Sequence, residues 1–266
     1  MKITTLIDNV VYGNKLVAEH GFSLYIESND KKILFDTGQS KNFIDNAINL
    51  GIDISKIDFC IISHGHYDHT GGLYDFCKIN KKAKIFIKKE AFLKKYKSNK
   101  NYIGIPFNEN IFEDRLIFVS QNTKITDDIY IMPDIKIYNY EDTHFKEMSI
   151  KQNNEYFTDE FIDEQFLVIN QNNSLVIISG CSHRGITNII KTSIEYFNLP
   201  INLVLGGFHF KDEDDKTLKN IIESFNNFNI KQIGVSHCTG IDKLINISKS
   251  FLGNIFYNYT GNLINL

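Results

Sequence analysis

The chain has 266 residues and a net charge of −3, with basic and acidic side chains nearly balanced. This balance gives no overall attraction to nucleic acid or to an anionic membrane, so neither is an expected partner. The length and the presence of only three prolines favour one α/β domain over residues 1–266. We see no leader or membrane-spanning pattern, and the four cysteines lack the spacing of a disulfide framework. These features predict a reducing, cytoplasmic location.

Apolar runs in the first half of the chain predict short strands with one helical stretch between them. The predicted strands are residues 22–26, 32–35, 57–62, 84–88 and 116–119, and the helical stretch is 73–78. Lysines are frequent between positions 88 and 100. We interpret this basic stretch as the solvated face of a helix.

The second half of the chain alternates between strand and helix patterns. A hairpin joins residues 166–170 to 175–179. It is followed by helices at 187–198, 216–227 and 241–252 and by strands at 201–205, 232–236 and 255–259. Leu218, Ile221, Ile222 and Phe225 recur at helical spacing, which predicts a core-facing side. The order of elements predicts an αββα sandwich, an α/β fold of two mixed sheets flanked by helices.

Four candidate metal ligands lie within six positions, directly after the predicted strand 57–62: His64, His66, Asp68 and His69. Imidazole suits zinc, copper, iron or nickel, and a carboxylate adds negative charge and a harder oxygen. In an extended segment His64 and His66 point to the same side, while Asp68 and His69 follow one turn later. The alternative is a solvated polar loop, but the chain has only eight histidines. The spacing therefore predicts the beginning of a two-metal site.

Three more histidines follow predicted strands in the second half of the chain. His183, His209 and His237 each come after a β-type run and stand close to a glycine. Open α/β sheets bind ligands at the carboxyl ends of their strands. A single histidine in such a position is more often an ordinary loop residue. Together, however, the three predict convergence on one edge with the ligand cluster.

The hexapeptide from His64 to His69 resembles the His-x-His-x-Asp-His signature of the metallo-β-lactamase superfamily. Leu34-Phe35-Asp36-Thr37-Gly38 resembles the first motif of the same superfamily, and the resemblance continues in order over nearly the whole chain to Tyr259-Thr260-Gly261. Four further motifs resemble the subgroup named for dihydropterin-ribofuranosyl-aminobenzene-phosphate synthase: Glu19-His20-Gly21-Phe22-Ser23, Gly180-Cys181-Ser182-His183, Gly206-Gly207-Phe208-His209 and His237-Cys238-Thr239-Gly240.

The resemblance implies two divalent metal ions, roughly 3.5–4 Å apart and bridged by a water or hydroxide. The expected ions are Zn²⁺, with Mn²⁺ or Fe²⁺ as alternatives. His66 stands where the di-iron, oxygen-reducing branch has Glu, which favours zinc. The implied ligands fall into two sets, the first His64, His66 and His183, the second Asp68, His69 and His237.

Three residues beside these ligands carry separate expectations. Asp36, at the end of a strand in the family's first motif, is expected to hold the ligand loop without touching metal. Cys181 stands where many members have Asp, so it is either an additional soft ligand or an ordinary small apolar residue. His209 is surplus to the six ligands. We interpret it as a catalytic acid or base alongside the catalytic ligand Asp68, with metal binding as the alternative.

Together these features predict a cytosolic dinuclear hydrolase that acts on a small anionic substrate, a phosphoester or phosphodiester, through a metal-bridging hydroxide. The first alternative is a synthase-type transferase that joins a pterin to an aminobenzene ribosyl phosphate. The second is a metal-binding sensor or interaction protein without turnover. A nuclease would need a basic groove, which only the lysines between 88 and 100 support. The sequence does not indicate which oligomeric state the protein adopts.

Overall fold

The computed structural model describes residues 1–98, 100–107 and 114–266. In chain order, the strands are β1 (Lys2–Ile7), β2 (Ser23–Ser28), β3 (Lys31–Phe35), β4 (Phe59–Ile61), β5 (Lys84–Ile87), β6 (Lys94–Lys97), β7 (Asn101–Tyr102), β8 (Leu116–Phe118), β9 (Thr123–Lys124), β10 (Ile129–Met132), β11 (Met148–Gln152), β12 (Glu155–Thr158), β13 (Phe166–Gln171), β14 (Ser174–Ser179), β15 (Ile201–Gly206), β16 (Gln232–Val235), β17 (Asn254–Tyr257) and β18 (Leu263–Asn265). The α-helices are α1 (Asn42–Asn49), α2 (Tyr67–Thr70), α3 (Leu73–Ile79), α4 (Ile186–Phe197), α5 (Asp215–Asn227) and α6 (Ile241–Ser248).

These elements form two compact units, each with its own mixed sheet and apolar core. The first unit comprises Met1–Val119, Lys146–Asp163 and Tyr259–Leu266. The second unit comprises Ser120–Phe145 and Glu164–Asn258. The single domain expected over residues 1–266 stays a prediction.

The main sheet of the first unit has the strand order β18-β1-β2-β3-β4-β5-β8. Its pairs are antiparallel from β18 to β3 and parallel from β3 to β8. Phe35 pairs with Ile61 in parallel register, so β3 and β4 end side by side. Asp36 and the ligand cluster that begins at His64 therefore leave the sheet at the same edge.

A small sheet in the first unit has the order β12-β11-β6-β7. The predicted helix face between lysines 88 and 100 is wrong, because a 3₁₀ turn (Lys89–Phe92) and strand β6 occupy this stretch. Strand β6 pairs with β11, and Lys95 is buried in ion pairs with Asp159 and Asp163. A charged side chain with buried partners and a strand ladder outweigh local helix propensity here.

The sheet of the second unit has the order β17-β16-β15-β14-β13-β10-β9, parallel from β17 to β14 and antiparallel from β14 to β9. Ser179 pairs with Gly206, and Gly206 pairs with Val235. Three neighbouring strands thus end level with one another, as the position of their histidines predicts. The hairpin turn between β13 and β14 places Asn172 and Asn173 at φ 52° and 57°, a conformation that asparagine tolerates well.

The helices of the second unit cover an apolar core. Ile186, Ile189 and Ile190 of α4 are buried, as are the four predicted core residues of α5, Leu218, Ile221, Ile222 and Phe225. The core position of that α5 stripe is therefore confirmed. Within the part of the chain that the structure describes, no helix is both long enough and apolar enough to cross a membrane.

Candidate metal centre

The first unit gathers the four ligand candidates on the loop after β4 and the single-turn helix α2. The ring centroid of His64 lies 4.6 Å from that of His66 and 4.3 Å from that of His69. Asp68 Oδ2 lies 3.9 Å from His69 Nε2 and 3.2 Å from Nε2 of the exposed His20. His64, His66, Asp68 and His69 are all buried. Three imidazoles and one carboxylate therefore share a small buried volume.

The carboxylate of Asp36 holds this loop from strand β3. Its Oδ1 accepts the Ser63 backbone N–H at 2.7 Å, and its Oδ2 accepts the Ser63 hydroxyl at 2.7 Å. Oδ2 also lies 2.7 Å from His69 Nδ1. Asp36 is fully buried and has φ 58°, a left-handed conformation that aspartate adopts more readily than most residues. These contacts are those of a residue that holds the loop, and its role in metal binding stays a prediction.

The partners of two imidazoles determine which ring nitrogen faces a metal. Because the Asp36 carboxylate accepts hydrogen bonds, Nδ1 of His69 carries the proton, and the lone pair of that ring is on Nε2. Nδ1 of His64 contacts Ser63 Oγ at 2.9 Å. Binding through Nε2 while Nδ1 contacts a protein group is the usual arrangement of histidine ligands.

The protonation state of the imidazoles also suits a cation. Burial, followed by the charges of His69 and His66, holds the pKa of His64 well below its ordinary value. Burial lowers the pKa of His66 to about 3. Near neutral pH both rings are therefore neutral, which is the form that binds metal. Neutral imidazoles with one carboxylate are a donor set that fits a divalent metal ion.

The second unit gathers its own donors at the ends of β14, β15 and β16. The ligand atoms of Cys181, His183 and His209 lie within 4.8 Å of one another. Those of Cys181, His237 and Cys238 meet the same limit. The His183 and His209 ring centroids are 4.5 Å apart. Cys181 is thus common to two groups, which together contain every histidine that the sequence singles out in this half of the chain.

The backbone at these strand ends is held in a conformation that few residues adopt. His209 has φ 56°, His237 φ 49° and Ser182 φ 58°. Non-glycine residues in the left-handed region store strain and concentrate at functional sites. Ser182 Oγ donates to the Gly207 carbonyl at 2.8 Å, and Thr239 Oγ1 accepts the Phe208 N–H at 3.0 Å. Hydrogen bonds between neighbouring strand ends therefore stabilise the strained segments.

Two further residues of the second unit contact the His183 loop, and no local pattern in the chain predicts them. Glu164, which is buried, accepts the His183 N–H at 2.7 Å and the Arg184 N–H at 2.8 Å. His144 donates its backbone N–H to the His183 carbonyl, and its ring lies 5.1 Å from that of His209. Neither residue stands in a recognisable motif. His20 and Cys238 do stand in motifs, but their proximity to the ligands became evident only in the fold.

Comparisons with known proteins point to the family that the hexapeptide from His64 to His69 resembles. The family model of the metallo-β-lactamase superfamily matches residues 16–134. The chain is also 34% identical to the uncharacterized protein MJ0448 of Methanocaldococcus jannaschii, over 99% of this chain and 100% of that protein. The chain belongs to the metallo-β-lactamase superfamily. This membership confirms the resemblance seen in the hexapeptide motif.

Two further comparisons concern the subgroup and the fold of this superfamily member. It is 32% identical to the 7,8-dihydropterin-6-methyl-4-(beta-D-ribofuranosyl)-aminobenzene-5'-phosphate synthase of Methanocaldococcus jannaschii, over 90% of this chain and 88% of that enzyme. The solved structure of Tm1679, described as a metal-dependent hydrolase of the beta-lactamase superfamily, matches with a TM-score of 0.89 and 34% identity. That match covers 100% of this chain and 99% of the other. The predicted metallo-β-lactamase-like sandwich fold is therefore confirmed.

Acidification should destabilise the metal-free protein. The unfolded chain takes up protons on His64 and His66 near the ordinary pKa of 6.5, whereas folded His66 stays neutral down to about pH 3. The unfolded state therefore binds more protons, and the free energy of unfolding should fall as pH falls from 7 to 5. We expect a loss on the order of 1 kcal/mol per pH unit for each histidine.

Urea unfolding of chelator-treated protein at pH 7, 6 and 5 measures this slope. Asp142 acts in the opposite direction, because burial raises its pKa to about 7, whereas His144 acts in the same direction as His64 and His66, because burial lowers its pKa to about 3. A His64→Asn/His66→Asn variant should show a shallower pH dependence. An equal slope in the variant would contradict the assignment to these histidines.

Asp36 and Asp68 should differ in their effect on metal binding. On the ligand sets that the motifs imply, Asp68→Asn should empty or greatly weaken one metal position, because it removes a charged ligand. Asp36→Asn should weaken both positions by about 10–100-fold, the usual effect of losing a group that orients ligands, and should lower stability. Asparagine also tolerates the left-handed backbone at position 36. Zinc titration and elemental analysis measure both effects.

Asp45→Asn is the control for this pair, since Asp45 is exposed and its one ion pair among the described residues is with Lys41. It should bind metal like the parent. An experimental structure with an Asp36 oxygen at roughly 2.0–2.2 Å from zinc would reverse the two roles.

Proposed function

We propose that this protein is a dinuclear metal-dependent hydrolase of a small phosphate-bearing substrate. The observation that carries the proposal is the buried cluster of His64, His66 and His69 beside Asp68, in which the ring centroid of His64 lies 4.3–4.6 Å from the other two. Superfamily membership supports metal-dependent hydrolysis in general. The number of metals, their identity and the substrate are parts of the proposal.

The proposed ligands are those implied by the sequence motifs. One ion takes His64, His66 and His183, and the second takes Asp68, His69 and His237. The contacts of His69 and His64 within the first unit support binding through Nε2. Within the second unit, the sulfur of Cys181 lies within 4.8 Å of the ligand atoms of both His183 and His237, which supports Cys181 as an additional ligand.

Zinc is the proposed metal. The second unit places two thiols, Cys181 and Cys238, beside His237. Burial raises the pKa of the Cys238 thiol, but hydrogen bonds with Cys181 and His209 outweigh burial and bring it well below its ordinary value. Sulfur donors favour zinc over manganese and magnesium. Manganese and iron remain the alternatives for the imidazole and carboxylate ligands.

Two bound divalent ions would supply an acidified water molecule and neutralise the negative charge that develops on a phosphoryl oxygen. The residues of the chain would orient the metal ligands and protonate the leaving group. Asp36 and Glu164 fix the ligand loops, and Asp68 supplies charge. His209, held in the left-handed conformation with its ring beside His183, is proposed to protonate the leaving group. Histidine is the side chain that most often transfers a proton to or from a reacting group.

The proposal of a phosphate-bearing substrate rests on similarity to an enzyme whose name contains an aminobenzene 5'-phosphate group. The same similarity is the observation that favours the alternative, a synthase-type transferase.

A sensor without turnover is less well supported, because the full set of predicted ligands is present. A nuclease is also less well supported, since Lys95 of the basic stretch is buried between two carboxylates. A reducing cytoplasm remains the proposed location, and no disulfide joins the four cysteines.

Measurements of metal content and turnover after metal loading test the proposed function. The parent protein is stripped with chelator, reloaded with zinc or manganese, and analysed for metal content. It is then assayed with p-nitrophenyl phosphate, bis(p-nitrophenyl) phosphate and a lactone. We expect two equivalents of metal and turnover of a phosphate substrate that chelator abolishes. A His64→Ala/Asp68→Ala variant purified in parallel controls for contaminating phosphatases.

Three results would contradict parts of this proposal. Metal content that never exceeds one equivalent contradicts the dinuclear centre. Two equivalents without turnover of any phosphate substrate would favour the sensor. Formation of a joined product from a pterin and an aminobenzene ribosyl phosphate would favour the transferase.

His209→Ala should retain most of the metal and lower turnover by about 10²–10⁴-fold, the scale of losing a positioned acid. The loss should be larger for a phenyl phosphodiester than for the p-nitrophenyl diester, because p-nitrophenolate leaves without protonation. Metal analysis and the two rates measure this. Loss of a full metal equivalent would instead make His209 a ligand, and equal losses for both substrates would contradict the acid role.

A further inference from the structure

Lys95 is the centre of a buried ion-pair network in the first unit. Its Nζ donates to Asp159 Oδ2 at 2.5 Å and to Asp163 Oδ1 at 2.8 Å. The side chains of all three residues are at most 3% exposed. Burial lowers the pKa of Lys95, but the charges of Asp163 and Asp159 outweigh it and raise the pKa above its ordinary value. The network therefore contains one cation and two carboxylates away from water.

One carboxylate of this network extends to the metal-ligand loop. Asp163 Oδ2 accepts the backbone N–H of Gly65 at 2.8 Å. Gly65 lies between His64 and His66, two of the proposed ligands. Gly65 also packs closely, since a Cβ built on it would lie 2.1 Å from the Ala91 carbonyl oxygen. The loop is therefore fixed by close packing on one side and by the Asp163 carboxylate.

The segment that leads to Asp163 also contacts the ligand rings. Phe161 has φ 49°, and Asp159 Oδ1 accepts its N–H at 2.8 Å. The Phe161 ring centroid lies 5.3 Å from that of His66 and 6.2 Å from that of His64. Lys95 Nζ lies 4.7 Å from the same phenyl ring. The network thus fixes both the backbone and the rings of the loop.

We propose that Asp163, held by Lys95, is a positioning residue that sets the geometry of His64 and His66 for metal binding. This inference rests on the proposed metal centre and assigns it a second carboxylate support besides Asp36. Burying three charged groups is costly and contributes little net stability by itself. A role in orienting ligands gives the network a function that an apolar core would not fulfil.

The competing explanation is that the two ion pairs of Lys95 only attach the small sheet to the rest of the first unit. It predicts that loss of Asp163 lowers stability but leaves the ligand geometry of the folded protein unchanged. The two explanations therefore differ in the metal affinity and in the spectrum of a bound metal. Both can be measured without substrate.

The experiment compares the parent protein with Asp163→Asn and Asp163→Ala, each checked for folding by circular dichroism and thermal unfolding. Lys95 and the Gly65 N–H donate to different oxygens of Asp163, and asparagine retains only one of the two. Asp163→Asn therefore loses one of the two contacts and Asp163→Ala loses both. Zinc affinity is measured by chelator competition and ligand geometry by the visible absorption of bound Co²⁺. We expect zinc affinity about 10–100-fold weaker, with the larger loss in Asp163→Ala, and an altered Co²⁺ spectrum.

Asp58→Asn is the control for the loss of the same two kinds of contact, at a side chain that is 28% exposed. Asp58 also accepts one backbone N–H, that of Lys32 at 3.0 Å, and one lysine, Lys82 at 3.0 Å. It does not contact the ligand loop, so zinc affinity and the Co²⁺ spectrum should match those of the parent. If Asp163→Ala does not fold, Asp163→Asn decides the question alone.

A folded Asp163→Asn variant with the zinc affinity and Co²⁺ spectrum of the parent would overturn the inference. Equal losses of affinity in Asp58→Asn and Asp163→Asn would also overturn it, since the effect would then reflect general stability. The parent protein tests the metal centre itself. A parent that binds neither zinc nor cobalt overturns the proposed function together with this inference.

Discussion

The loop of the first unit that contains the proposed metal ligands depends on hydrogen bonds that end at the buried carboxylate of Asp36. Its two oxygens contact the backbone and the hydroxyl of Ser63 and the ring of His69. These contacts set the start of the loop, the orientation of one imidazole and, through Ser63, that of His64. The parallel pairing of Phe35 with Ile61 brings Asp36 to this position. A register shift of one residue would turn the side chains of β4 to the opposite faces of the sheet.

In the second unit a different carboxylate, that of Glu164, holds the loop that contains His183. Three parallel strands end level with one another, and Glu164 accepts two backbone N–H groups of the loop that contains His183. The loops at His209 and His237 carry left-handed backbone. Two hydrogen bonds offset this strain: the Ser182 hydroxyl donates to the Gly207 carbonyl, and the Thr239 hydroxyl accepts the Phe208 N–H. Each unit thus places its donors by strand register and then fixes them with buried polar contacts.

The elements and the ligand candidates could be predicted because their signals are local in sequence. Apolar periodicity marks β14, α5 and β16, and the cluster from His64 to His69 lies within six residues. The buried supports could not be predicted in this way. Asp163 contacts Gly65 across 98 residues, and Lys95 contacts Asp159 across 64. Such pairs leave no periodic pattern, and a lysine in a basic stretch predicts solvent exposure, which is why the helix face expected there was wrong.

The two carboxylates that hold the loop come from opposite sides of the ligand motif in the sequence. Asp36 precedes the motif and contacts Ser63, whereas Asp163 follows it and contacts Gly65. A loop fixed at both points has few conformations left to lose when a cation binds. The entropy cost of ordering is therefore met during folding and not during metal uptake. Most of the affinity for a metal can then come from the ligand bonds themselves.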